Sequence, residues 1–367
     1  MKAEKINEYK YKIPTTFKEG MKIEGIIYAD ENLINIMEQD KTLEQIANVA
    51  TLPGFINYSL AMPDAHQGYG FCIGGVAASD SEQGLVSAGG VGYDINCGIR
   101  LLTTPFREKE MRLQLKELVE TLFKTVPTGA STRSDGKIKL SAEELDKVLI
   151  NGAKWTVENN YATEEDIEFI EDYGKMEVAD VRTVSGKAIL RGKDQLGTLG
   201  SGNHFLEIQV VDEIYDNEVA SRFGIYEGQI TVMIHTGSRG LGHQVCTDYL
   251  EVMDKYIRDN EIALVDRQLS CVPINSKEGR DYLSAMAASA NFAFANRQCI
   301  TQWTREAFEK VLGSKDLKLV YDLGHNIAKF EEHKINDSLK QVLVHRKGAT
   351  RAFGKGNKLV STKYRLY

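Results

Sequence analysis

Proline is scarce, with six residues scattered through 367. That excludes a proline-rich linker, and no low-complexity tract or clear repeat marks a domain boundary elsewhere. The five cysteines, Cys72, Cys97, Cys246, Cys271 and Cys299, are odd in number, widely spaced and without a Cys-x-x-Cys pair. Neither a disulfide framework nor a zinc ribbon fits that pattern. No stretch approaches the ~20 apolar residues of a bilayer span. The opening Met1-Lys2-Ala3-Glu4-Lys5 leads into charged sequence without an apolar core of signal-peptide length. The expectation is a soluble, cytoplasmic protein with no membrane partner. Positive charge is not in excess either: 45 Lys+Arg against 52 Asp+Glu give a formal net charge of −7. This argues against the general nucleic-acid affinity of a strongly basic protein and leaves room for a local basic groove.

What is present is enough apolar sequence, 42% of residues, for a large core in one large domain or two interlocked ones. Short β-rich segments end at turns: Ile99 to Thr103, Phe205 to Val211, Ile230 to Ile234, Leu317 to Leu323 and Lys340 to Val344. Helical patterns lie between them. Glu108 to Val126 places Met111, Leu115, Leu118, Leu122 and Val126 on one stripe. Ser141-Ala142-Glu143-Glu144 reads as a capping box, and Thr163 before Glu164, Glu165 and Asp166 as a second helix start. Arg280 to Leu312 is a long helical candidate whose small residues, Ala285 to Ala295, suit close packing in the interior.

The chemistry concentrates in glycine-rich turns. Gly89-Gly90-Val91-Gly92-Tyr93-Asp94-Ile95-Asn96-Cys97-Gly98 sets a carboxylate and a thiol three residues apart. Three histidines stand beside similar turns, in Gly202-Asn203-His204, Ile234-His235-Thr236-Gly237 and Gly324-His325-Asn326. Each has the form of a strand that delivers a ligand at its end, where glycine lets the chain turn away and a substrate approach. Asp94 offers a hard oxygen, the histidines imidazole nitrogen, and Cys97 a thiolate that two ions can share. One carboxylate, one thiolate and three imidazoles suffice for two incompletely filled metal sites, and an open position is what a catalytic metal needs. Taken singly, a lone Cys is more often a buried hydrophobe and a lone His a hydrogen-bonded structural residue. The shared glycine settings favour the metal reading.

Two basic stretches follow. Arg182, Lys187, Arg191 and Lys193, between Gly174 and Gly200, suit a surface loop near a polyanion, although a charge run is usually a solvated face. His345-Arg346-Lys347-Gly348-Ala349-Thr350-Arg351, straight after an apolar strand, reads as an anion-binding loop for a phosphate-bearing ligand.

Six extended motifs together resemble one family. They are Met62 to Gly70, Gly89 to Arg100, Leu199 to His204, His235 to Gly242, Gly324 to Lys329 and His345 to Phe353. In that order, from about residue 50 to about residue 353, they are similar to the RtcB family of RNA-splicing ligases. The resemblance implies an α+β fold with a central β-rich layer flanked by helices, in a single catalytic domain over 1–367. It implies a ligase that joins an RNA 3′-phosphate or 2′,3′-cyclic phosphate end to a 5′-hydroxyl end, using GTP and two Mn²⁺ ions. In the family a histidine is first guanylylated, GMP passes to the RNA 3′-phosphate, and the 5′-hydroxyl displaces it. Carried over by residue, Asp94, Cys97 and His204 would hold one Mn²⁺, and Cys97, His235 and His325 the other. Asn203, His204, Phe205, Leu206 and Glu207, with His325 and Asn326, match positions that also contact the guanylate. Manganese comes from the resemblance alone, because thiolate with imidazole by itself suggests zinc or another borderline ion. The implied partners are RNA ends, tRNA among them, and an archease-type activator.

The sequence departs from the family after these motifs. The family's nucleotidyl-accepting histidine sits in a later His-Gly-Ala-Gly-Arg segment, and the chain stops at Lys363-Tyr364-Arg365-Leu366-Tyr367 without one. The expectation is a chain that is C-terminally incomplete relative to the family. His345 is a weak candidate for a substitute nucleophile. Two further readings stand beside the ligase: a dinuclear metal phosphoesterase that hydrolyses RNA ends, and a non-catalytic RNA-binding remnant.

Overall fold

The computed structural model describes residues 2–129 and 136–365, so Leu366 and Tyr367 of the chain's ending lie outside it. The strands are β1 (Glu4–Asn7), β2 (Lys10–Ile13), β3 (Glu24–Tyr28), β4 (Phe55–His66), β5 (Ile73–Asp80), β6 (Leu85–Ser87), β7 (Gly98–Arg107), β8 (Phe205–Val210), β9 (Gln229–Thr236), β10 (Cys271–Pro273), β11 (Lys318–Gly324), β12 (Asn326–Ile335) and β13 (Ser338–Lys347). With the helices between them they give the α+β class expected, and among the described residues the β structure is divided among three sheets. The chain forms two compact units. One takes the chain up to Ile95 together with Gln244–Met286 and His325–Thr350, and the other takes Asn96–His243, Ala287–Gly324 and the chain from Arg351 on.

The first unit holds a seven-stranded sheet in the order β1-β2-β3-β4-β5-β13-β12, with β6 and β10 paired separately. Tyr11, Ile13 and Ile27 from its strands are buried against Leu43 and Ile46 of the helix Thr42–Val49. Strands β12 and β13 form a hairpin closed by Asn336 and Asp337, both at positive φ (49° and 63°). Asn and Asp tolerate that backbone, and two such residues give the turn whose twist matches the strands. The expected loop at His345 is a strand instead: β13 runs to Lys347, with His345 opposite Ala328 of β12 and Ala77 of β5. Alternating apolar neighbours carry the sheet through the basic residues, and the turn begins at Gly348, where φ is 71°.

The second unit holds the antiparallel sheet β11-β7-β9-β8. All four of its strands coincide with segments expected from the sequence. Helix Lys277–Leu312 contributes its part from Ala287 on, and its small residues are buried as expected. The Ser141 and Thr163 capping boxes are both formed. Glu108 to Val126 departs from expectation: it is two helices, Glu108–Met111 and Leu115–Thr125. The chain turns between them, because Leu113 and Leu115 face solvent while Met111, Leu118 and Leu122 are buried. Gly174 to Gly200 is likewise not one loop, since it contains the helix Gly186–Gly192.

Register brings four strand ends to one edge of this sheet. Gly98 lies opposite Thr236 on one side and Gly324 on the other, and Phe205 lies opposite His235. With antiparallel neighbours, the starts of β7 and β8 and the ends of β9 and β11 therefore coincide.

Candidate metal centre

Four of the five expected metal-ligating residues adjoin those strand ends. Cys97 precedes β7, His204 precedes β8, His235 is the penultimate residue of β9, and His325 directly follows β11. Asp94 lies three residues before Cys97. Asn326 ties two of these segments together, its Nδ2 donating to the Asp94 carbonyl at 3.1 Å while its Oδ1 accepts from the Gly348 N–H at 2.8 Å.

Cys97 Sγ is 3.3 Å from His204 Nε2 and 3.2 Å from His235 Nε2. Both rings are oriented from behind. His204 Nδ1 donates to the Leu199 carbonyl at 2.9 Å, and His235 Nδ1 to the Asn203 carbonyl at 3.0 Å. A carbonyl can only accept, so each Nδ1 carries a proton, and in the neutral ring each Nε2 offers a lone pair toward the thiol. This is the outer-shell arrangement that fixes the tautomer of a metal-bound histidine. Thr236 Oγ1 also donates to the Leu199 carbonyl, at 2.6 Å.

The donor atoms form two groups, Asp94 with Cys97 and His204, and Cys97 with His235 and His325. Within each group they lie within 4.8 Å of one another. Two donors that each reach a common ion over ~2.0–2.3 Å stand no more than ~4.6 Å apart, so the spread is close to that of a bound set. Cys97 and His235 are buried, whereas Asp94, His204 and His325 are half-buried. Three protein donors are one fewer than the four that close a structural metal site. Within the second unit the structure brings Cys97, His204 and His235 together, and Asp94 and His325 complete the candidate donor groups.

The residues expected to contact a guanylate have varied surroundings. Asn203 is exposed, the ring of Phe205 lies 5.2 Å from that of His235, and Glu207 is exposed and accepts from Gln209 at 3.0 Å. Leu206, half-buried, lines an apolar groove with Leu122 and Phe123.

His345 and its neighbours are elsewhere employed. His345 is fully buried, its Nε2 accepts from the Ser87 N–H at 3.2 Å, and its ring stacks on Phe71 at 6.0 Å. Burial pushes its pKa down to about 4. Arg346 makes two hydrogen bonds to Glu331, at 2.5 and 3.1 Å. Lys347 Nζ donates to the carbonyls of Tyr69 and Phe71 at 2.5 and 3.2 Å, and burial lowers its pKa to about 8. Arg351 lies 3.7 Å from Glu171 and 3.6 Å from Asp172. The cations read as an anion loop are held by carboxylates and carbonyls of this chain.

The sequence reading passed over Asn296. This residue is fully buried in the helix Lys277–Leu312, where its Oδ1 accepts from the Gly197 and Thr198 N–H groups at 2.8 and 3.0 Å. Its Nδ2 donates to the Thr198 and Gly237 carbonyls, each at 3.1 Å. It therefore fastens the turns that carry His204 and His235. Its signal in the sequence was polarity inside a run of small buried residues, since a buried amide needs partners.

Two candidate donor groups that share one thiol define a candidate metal protein. Comparison with known proteins supplies the family. Residues 45–367 match the family model described as tRNA-splicing ligase RtcB. The chain is 54% identical over 365 residues to the tRNA-splicing ligase RtcB of Thermococcus kodakarensis, covering 98% of this chain and 75% of that protein. It is 53% identical over 365 residues to that of Archaeoglobus fulgidus, with the same coverage, and 51% identical over 373 residues to that of Nanoarchaeum equitans, covering 100% and 76%. The chain belongs to the RtcB family.

Proposed function

We propose that this chain is a metal-dependent RNA ligase that joins an RNA 3′-phosphate or 2′,3′-cyclic phosphate end to a 5′-hydroxyl end with consumption of GTP. The observation that carries the reading is the pairing of two donor groups through Cys97, in a chain 54% identical to a tRNA-splicing ligase over 98% of its length. Asp94, Cys97 and His204 would hold one Mn²⁺, and Cys97, His235 and His325 the other. Bound there, the ions supply Lewis acidity to phosphate oxygens and offset developing negative charge.

The chain's own residues orient the donors. The Leu199 and Asn203 carbonyls hold His204 and His235 in the tautomer that offers Nε2. Asn326 fixes the Asp94 segment through its carbonyl. Asn203, His204, Phe205, Leu206 and Glu207, with His325 and Asn326, are the residues proposed to contact the guanylate. The reading includes the family's reaction sequence, in which a histidine takes GMP, passes it to the RNA 3′-phosphate, and the 5′-hydroxyl displaces it. These 367 residues contain no His-Gly-Ala-Gly-Arg segment, and buried, hydrogen-bonded His345 is not proposed for the nucleotidyl role. The whole chain serves as one catalytic domain, acting in the cytoplasm on cleaved tRNA with an archease-type activator as partner. Among the described residues no helix is long and apolar enough to cross a membrane.

The test presents a labelled RNA 3′-phosphate and a 5′-hydroxyl RNA, with Mn²⁺ and GTP, to the chain in the presence of a polypeptide bearing a His-Gly-Ala-Gly-Arg segment. Joined product that needs Cys97 supports the reading. Opening of a cyclic phosphate without joining supports a phosphoesterase instead.

A further inference from the structure

Arg297 is fully buried in the second unit, on the helix that also carries Asn296. Its Nη1 donates to two backbone carbonyls, Asn96 at 2.8 Å and Thr236 at 3.0 Å. One is the residue before Cys97 and the other the residue after His235. The rest of the guanidinium is engaged by Asp322, through Nε to Oδ2 and Nη2 to Oδ1, both at 2.8 Å. Asp322 is in turn held by Arg100 Nε at 2.7 Å. Arg100 stands three residues after Cys97, Asp322 three before His325, and the two are cross-strand partners.

Room for this device is built into the backbone. A Cβ on Gly98, next to Cys97, would clash with the Leu323 carbonyl and come within 3.1 Å of Arg297 Cζ. Asn96 is fully buried at a positive φ of 53°, held by Nδ2 donation to the Ala290 carbonyl at 3.0 Å. Its carbonyl is thereby turned toward Arg297, at a backbone cost that asparagine tolerates better than most residues.

We infer that Arg297 is a positioning residue of the metal centre: one guanidinium, anchored by Asp322, sets the spacing between Cys97 and His235 by gripping the carbonyls beside them. This rests on the proposal that these residues hold metal. A guanidinium is suited to the task because its planar fork serves a carboxylate on one edge and carbonyls on another at once. A lysine keeps the charge but has a single nitrogen and no fixed fork, so it cannot meet both demands.

The test titrates the purified chain with Co²⁺ and follows thiolate-to-metal charge-transfer absorption, a readout independent of ligation. Arg297→Lys is compared with wild type and with Arg305→Lys, which disturbs another buried pair on the same helix, Arg305 with Asp166. Arg297→Lys is expected to weaken Co²⁺ binding about 10–100-fold, the usual cost of losing an outer-shell partner, and to dim the charge-transfer band. Arg305→Lys is expected to bind as wild type does. Wild-type binding by Arg297→Lys, or equal weakening by Arg305→Lys, overturns the inference. A wild type without any charge-transfer band refutes the metal reading itself. If Arg297→Lys does not fold, wild type labelled with ¹⁵N in its arginine side chains is titrated with Zn²⁺. Movement of buried guanidinium signals is then expected, and none moving overturns the inference.

Discussion

Cys97 Sγ and His235 Nε2 lie 3.2 Å apart although 138 residues separate them in the chain. Nothing local enforces that distance. It follows from β7 and β9 being antiparallel neighbours in a register that sets Gly98 opposite Thr236. The imidazole arrives with Nδ1 already committed to the Asn203 carbonyl. A pair held this way is preorganised for an ion, because neither partner has to reorient to bind it.

The two donor groups share Cys97 but not their other members, so the histidines separate them. His204→Ala is expected to lose the ion held with Asp94 and keep the other. His325→Ala is expected to do the reverse. Metal analysis after gel filtration should give about one Mn²⁺ per chain for each variant, against two for wild type. Loss of both ions from either variant would mean that the sites fill together.

Asp322 accepts hydrogen bonds from both Arg100 and Arg297 and has no exposure. Burial raises its pKa, and the two guanidinium groups more than offset this, leaving the carboxyl below its usual range. Asp322→Asn leaves two buried cations short of a partner. The expected loss is about 3–5 kcal/mol, read as a lowered urea midpoint at unchanged m-value. A midpoint like that of wild type would show that the triad contributes little to stability.

His345 titrates at about 4 in the folded chain, against an ordinary 6.5, because burial disfavours its charged form. Between these values the unfolded chain binds a proton that the folded chain does not. Stability from this source is therefore full above pH 6.5, falls as pH drops toward 4, and changes no further below that. The size is about 3 kcal/mol. His345→Gln can still accept from the Ser87 N–H, and it is expected to flatten the acid limb of a plot of unfolding free energy against pH. An unaltered slope would place the titration elsewhere.

The candidate donors were legible because their signal is local: Asp94, Cys97, His204, His235 and His325 each stand within two residues of a glycine. The four strands of the site's sheet were legible for the same reason. Strand order and the division into two units were not, since both depend on pairings such as Gly98 with Gly324, more than 200 residues apart. The segment from His345 misled because charge suggested a loop, while its alternating neighbours and the β5 and β12 partners make it an interior strand. Asn296 and Arg297 were hidden inside a helix that reads as simple packing. A buried side chain that grips backbone carbonyls leaves no spacing pattern, and its role shows only once the turns it holds are folded around it.

The most direct measurement is the Mn²⁺ content of Cys97→Ala beside wild type, at matched far-UV circular dichroism. Because the thiolate belongs to both donor groups, the account expects wild type to hold two ions and Cys97→Ala to lose affinity at both positions. Two ions retained at wild-type affinity would contradict the shared-thiolate centre and with it the basis of the proposed reaction.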